Sequence, residues 1–254
     1  MSQGGPTVDG MPTVELVTAG PPLRPVGATA VGLTRAENQD ALALADRVIV
    51  VADGVGGQVG GEIASAAAAP ALRDALVGGA TLGQAFLAAR TAVEEAAFAA
   101  ITPSAATTAV VAWLPEHSDT LLIGHVGDSR AAVLDAQGFR WLTVDHNVAA
   151  DLVRAGELTE AESFDHWGQH SLTRVIGQQT RATPEDTRVA LGPDPQRLLL
   201  CSDGLSGYVE PDAIAAALAE GEPDVAVRAL IDLAYAAGAP DNVTVAVCDL
   251  PPSG

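Results

Sequence analysis

The sequence predicts an α+β layered fold, and three observations carry that reading. Strand-like segments occur in runs joined by short turns, which forces antiparallel pairing because a parallel partner needs a long crossover. Helix-like segments come in pairs between those runs instead of one after every strand, unlike a strict βαβ order. Finally, no composition break or long linker interrupts the chain from Gly27 to Leu250, so one domain is expected over 27–250. Residues 1–26, rich in glycine and proline and with strand character only at 14–17, are expected as an extension or poorly ordered arm, and 251–254 as a short tail.

Taken in order, 28–33, 41–44 and 47–52 read as three short strands, the last almost wholly apolar and therefore buried. Two alanine-rich helices follow at 62–76 and 81–101; in the second, Leu82, Phe86, Val93, Ala97 and Ile101 fall near one face. Strands at 107–114, 119–126, 130–135 and 138–143 come next, with Asp135-Ala-Gln-Gly138 as a hairpin turn. A polar helical patch spans 147–162, and 163–183 shows no period. Strand character returns at 189–191 and 197–201, helices at 212–220 and 223–235, and a closing strand at 243–248.

Composition bounds the function. The 254 residues carry 13 basic side chains, all arginine, against 32 acidic ones, a net charge of −19. With 48% apolar and only 18% charged residues the chain has the means to build a core. Phosphate backbones and anionic bilayers attract clustered basic residues, so nucleic acid and membrane are excluded as partners. Cys201 and Cys248 each sit in an apolar run, as buried free thiols do, and suggest a reducing compartment. No long apolar span and no signal-like start are seen, and a cytoplasmic protein is expected.

Four apolar strands end at once in Asp followed by Gly, Ser or Asn: Asp53-Gly54, Asp128-Ser129, Asp203-Gly204 and Asp241-Asn242. Any one of these is an ordinary turn. Together they place carboxylates at strand ends that converge at the rim of a sheet, where like charges at ~4 Å repel by roughly 4 kcal/mol per pair at an effective dielectric of about 20. Such a cluster predicts cations. Carboxylates without thiols or paired histidines suit hard divalent ions such as Mg²⁺ or Mn²⁺, and the spacing fits no EF-hand. Glycines at 54, 56 and 57 let the backbone approach an ion closely. Two ions about 3.5 to 4 Å apart can acidify a bridging water and aim it at phosphorus, which points to phosphoryl hydrolysis. A dinucleotide loop is disfavoured because the glycine spacing after Gly54 and Gly56 fails at Val59. His125 lies inside a strand and His117 in a turn, while His146, His166 and His170 are surface residues or site lining. Arg35 is by composition alone a surface charge.

The ordered set Arg35-x-x-Asn38-Gln39-Asp40, Asp53-Gly54-x-Gly56-Gly57, Thr107-Thr108, Gly127-Asp128-Ser129-Arg130, Leu142-Thr143-x-Asp145-His146, Leu172-Thr173-Arg174, Ser202-Asp203-Gly204-Leu205 and Asp241-Asn242-Val243-Thr244 resembles the metal-dependent PP2C-type (PPM) serine/threonine protein phosphatases in their compact bacterial form. The resemblance implies a four-layer α-β-β-α sandwich with a dinuclear Mn²⁺ or Mg²⁺ site at one end. It implies that Asp53 bridges both ions, that the Gly54 carbonyl, Asp203 and Asp241 complete the ligands, and that Asp128 helps a third ion. Asp40 would orient water and Arg35 would clamp the phosphate. The substrates implied are phosphoserine and phosphothreonine proteins made by a Ser/Thr kinase, and the enzyme is expected to be a monomer. The 163–183 stretch matches the family's flap beside the site. Gln39 stands where many members have Glu, which predicts weaker metal affinity. Val55 stands where some members have a histidine that protonates the leaving group, which leaves that acid unassigned; a metal-bound water could protonate the alkoxide instead. The rival readings are a catalytically silent module that binds phosphoproteins on the same scaffold and a phosphatase acting on a sigma-factor regulator.

Overall fold

In the computed structural model, residues 14–55, 60–164, 166–177 and 183–253 are described. The first half of the chain forms β1 (Val17–Thr18), β2 (Val26–Ala30), β3 (Asp40–Ala45), β4 (Val48–Asp53), α1 (Gly61–Val77), α2 (Leu82–Ala99), β5 (Ala106–Thr107), β6 (Ala109–Trp113) and β7 (Thr120–Val126). Then come β8 (Arg130–Asp135), β9 (Gly138–Trp141), α3 (Val148–Arg154), α4 (Glu160–Phe164), a 3-10 turn (Trp167–His170), β10 (Ile176–Gly177) and β11 (Glu185–Ala190). The chain closes with β12 (Arg197–Cys201), α5 (Asp203–Ser206), α6 (Pro211–Leu218), α7 (Pro223–Ala236) and β13 (Val243–Asp249).

Two antiparallel sheets result, one in the order β1-β2-β13-β12-β8-β9 and one in the order β11-β7-β6-β4-β3, with a small β10-β5 pair beside them. The period-2 alternation of each strand decides the layers. In β4, Val48, Val50 and Ala52 join the cluster with Leu72 of α1 and Phe86 of α2, while Ile49 and Val51 join the cluster between the sheets. In β12, Leu198 and Leu200 face that same inter-sheet cluster, and Leu199 and Cys201 pack with Leu218 of α6 and Leu230 of α7. Both sheets are thus buried on two faces, which explains why β4 and β12 read as continuous apolar runs. Each fully buried Leu, Ile or Val contributes roughly 1.5–3 kcal/mol through removal from water. The four-layer α-β-β-α sandwich implied by the resemblance is the fold observed.

Local chemistry sets most boundaries. Thr81 caps α2 in a reciprocal box with Gln84, and α6 and α7 both start with proline at the first turn. Cys201 and Cys248 are free and buried, as expected.

Four expectations need correction. The helix expected over 147–162 is two helices, because Gly156 takes φ 75° and Thr159 starts α4 by binding the Glu162 carboxylate through its amide and hydroxyl. The strand expected over 107–114 breaks at Thr108 into β5 and β6. The strand expected at 189–191 begins at Glu185; it is a sheet edge with polar side chains, where apolar alternation is weak. Within the arm expected over 1–26, residues 14–26 pack on the domain: Val17 and Thr18 pair with Gly27 and Val26, and Leu23 is buried between the sheets. Residues 1–13, together with Gly56, Gly57, Val59, and 165 and 178–182 of the expected flap, lie outside the described residues.

Candidate metal centre

The register of the sheets brings the aspartates to one rim. Antiparallel pairing of β3 and β4 sets Asp40 opposite Asp53. β12 and β13 pair as neighbours; Asp203 follows the end of β12, whereas Asp241, expected at the end of an apolar strand, lies instead in the loop between α7 and the start of β13. Asp128 follows β7 in a turn that Gly127 makes possible with φ 102°. Carboxylate oxygens of Asp53, Asp128 and Asp203 lie within 4.8 Å of one another. A cavity of about 260 Å³ opens there, lined by Arg35, Asp53, Gly54, Asp128, Asp203 and Asp241, so six of the seven residues singled out in the sequence share one wall.

The seventh, Asp40, lies behind that wall. Its Oδ2 accepts hydrogen bonds from Ser202 at 2.8 Å and Thr244 at 2.7 Å, which ties β3 of one sheet to β12 and β13 of the other. Asn242 anchors the loop that carries Arg35, donating to the Val31 and Glu37 carbonyls and accepting from the Gln39 amide. Arg35 in turn donates to Asp241 at 2.7 Å. The Gly54 amide donates to the Gln39 carbonyl at 3.0 Å, and a side chain at Gly54 would collide with the Gly61 backbone.

The Asp128 turn is held from behind by consecutive residues. The Gly127 amide donates to His146 Nδ1 at 3.1 Å, the His146 amide donates to the Gly127 carbonyl, and Arg130 forms a two-pronged pair with Asp145 at 2.7 and 2.6 Å. His146 is buried and stacked on His125 with centroids 4.5 Å apart, so neither lines the cavity. Desolvation, then the neighbouring His125 and Arg174, push the His146 imidazole down to about 4. His125, His146 and Glu185 also group closely enough for a metal, but the Arg174 guanidinium donates to Glu185 at 2.6 Å and already supplies the positive charge there. His166 caps its own turn through Gly168.

Electrostatics separate this rim from ordinary turns. Desolvation, followed by Asp40, Asp203 and Asp128, pushes Asp53 well above the usual carboxylate range; desolvation and then Asp203 do the same to Asp128. Asp203 is raised by burial and Asp241, and Asp40 is raised to about 7 by burial, against two stabilising hydroxyl bonds. Asp40 Oδ1 and Asp203 Oδ1 are buried without a hydrogen-bond partner. Buried oxygens with no donor, inside a cluster of mutually raised carboxylates, are the environment that hard divalent cations fit. The donor set is all oxygen.

Val55, Thr108, His170, Leu172 and Tyr208 complete the lining. Thr108 and Leu172 stood in the sequence pattern without a role, and Tyr208 carried no signal because its place follows from tertiary packing after α5. The sequence left His170 open between surface and site; the fold puts it on the cavity wall.

The sequence pattern of the protein phosphatase 2C family matches residues 34–229, and the chain belongs to that family. It is 35% identical over 228 residues to the serine/threonine protein phosphatase PstP of Mycobacterium tuberculosis, covering 86% of this chain and 43% of that relative, so it spans less than half of PstP. Among solved structures, the PPM Ser-Thr phosphatase MsPP of Mycobacterium smegmatis, in complex with cacodylate, superposes with a TM-score of 0.80 at 33% identity, covering 89% of this chain and 98% of that one. The catalytic domain of PstP in complex with two manganese ions gives a TM-score of 0.79 at 30% identity, covering 89% and 97%.

Proposed function

We propose that the protein is a Mn²⁺- or Mg²⁺-dependent phosphatase that removes phosphate from serine and threonine side chains of proteins. The observation that carries this reading is the convergence of Asp53, Asp128 and Asp203 within 4.8 Å, in a cavity that Arg35 also lines. The manganese in the PstP structure supports the same cation class. Asp53, the Gly54 carbonyl, Asp203 and Asp241 would hold two ions, with Asp128 toward a third. Bound there, such ions would supply a water acidified enough to attack phosphorus at neutral pH and would neutralise phosphate charge.

The chain's own residues do the rest. Arg35 spends one N–H group on Asp241, and its planar fork leaves others for phosphate oxygens. Asp40, with one oxygen held by Ser202 and Thr244 and the other unpartnered, is a fixed acceptor behind the cavity that orients attacking water. The four-strand-end cluster argues against a silent binding module, since binding alone gives no reason to bury so much like charge. Buried free Cys201 and Cys248 fit a reducing compartment, the cytoplasm, with targets phosphorylated by a Ser/Thr kinase. Incubation with a phosphothreonine peptide tests the reading: phosphate is released with Mn²⁺ and not with chelator. Tight peptide binding without release, at intact fold, would replace it with the silent module.

A further inference from the structure

In this reaction the oxygen that leaves phosphorus is an alkoxide, a far stronger base than water at neutral pH, and it needs a proton as its bond to phosphorus breaks. Few groups on the cavity wall can give one. Val55, directly after Asp53-Gly54, has none, and the aspartates are the residues that would hold the cations. An arginine holds its proton too tightly to act as an acid. A tyrosine phenol, with an ordinary pKa of about 10, is a far weaker acid than an imidazolium at neutral pH.

His170 remains. It is the last residue of the 3-10 turn, exposed on the cavity wall, with its ring facing Tyr208 at 6.3 Å between centroids and 21° between planes. The turn is fixed at both ends: His166 Nδ1 accepts from the Gly168 amide at 3.1 Å, and the Ser171 carbonyl accepts from the Val148 amide at 2.9 Å. No hydrogen bond to the His170 ring is seen among the described residues, and its place on the cavity wall leaves the ring open to a ligand there. Imidazole is also the side chain that ordinarily changes charge between about pH 5 and 8.

We propose that His170 is the proton donor to the leaving serine or threonine oxygen; the inference rests on the phosphatase reading of the site. As the water oxygen bonds to phosphorus, the bond from phosphorus to the leaving oxygen breaks and its electron pair stays on that oxygen. The oxygen takes a proton from the His170 imidazolium. The attacking water releases a proton to solvent and the imidazole regains one, so the products are phosphate and a free hydroxyl.

Leaving-group dependence tests it. Wild type and His170→Gln, both with Mn²⁺, are compared on p-nitrophenyl phosphate, phenyl phosphate and a phosphothreonine peptide. The variant loses about 10²-fold in kcat on the peptide, less on phenyl phosphate and least on p-nitrophenyl phosphate, whose leaving oxygen needs a proton least. The same loss factor on all three substrates, as a residue that only binds phosphate or positions the turn would give, overturns the assignment, and so does no loss. A wild type inactive on the whole series overturns the phosphatase reading and this inference with it. Because His170 is exposed, the exchange leaves the core untouched.

Discussion

At the scale of single residues, burial without a counter-charge dominates the site. Asp40 is raised to about 7, against an unfolded carboxylate near 4, so the folded chain holds a proton that the unfolded chain has lost over that interval. Stability tied to Asp40 is fully present below about pH 4 and is lost as pH rises through about 7; raised Asp53, Asp128 and Asp203 push the same way. Cations bound at this rim would compete with protons for these oxygens. The gain in Tm on adding Mn²⁺ to chelator-treated protein therefore grows from about pH 5 to pH 8. A gain that is flat with pH would contradict the shared site. Arg35 behaves differently, because its pair with Asp241 is partly exposed and such pairs add little stability. Arg35→Ala should shift the unfolding free energy by less than about 0.5 kcal/mol and lower kcat/KM about 10- to 100-fold, the worth of a charge-assisted bond. An unchanged kcat/KM removes Arg35 from the phosphate.

At the scale of elements, the turns between strands place the chemistry, and glycine makes them possible. Gly127 sits at φ 102°, and a Cβ there would meet the Thr108 side chain at 2.5 Å. Gly127→Ala should cost at least about 2 kcal/mol in chemical denaturation and displace Asp128 from the cluster; wild-type stability would show that the turn tolerates a side chain. The sequence made these turns legible because Asp-Gly and Asp-Ser follow directly on apolar strands, and the register then follows from antiparallel pairing. Other features were not legible. The Asp145 and His146 clamp on the Asp128 turn acts across 15 or more residues of chain, through Arg130 and Gly127. The edge strand β11 is polar, so hydrophobic alternation does not reveal it. Tyr208 and His170 approach the cavity from separate segments that no local pattern links.

At the scale of the whole molecule, the sandwich is the platform on which the rim stands. Leu200 is fully buried between the sheets, next to the end of β12 that carries Asp203. Leu200→Ala should cost about 2–5 kcal/mol in chemical denaturation; a cost under about 1 kcal/mol would mean that the two sheets do not share that core. The fold gives part of the net charge of −19 a location, since Asp53, Asp128, Asp203 and Asp241 meet at one rim. Cations there would invert the sign that an approaching phosphate meets, while the other acids keep the surface soluble. Phosphate release from a phosphothreonine peptide, titrated with Mn²⁺ for wild type and Asp203→Asn, addresses the central claim most directly. The account predicts saturable, Mn²⁺-dependent release by the wild type and a loss of at least about 10³-fold in the variant, with its fold intact. Release by the variant at the wild-type rate, or release by the wild type in excess chelator, would contradict it.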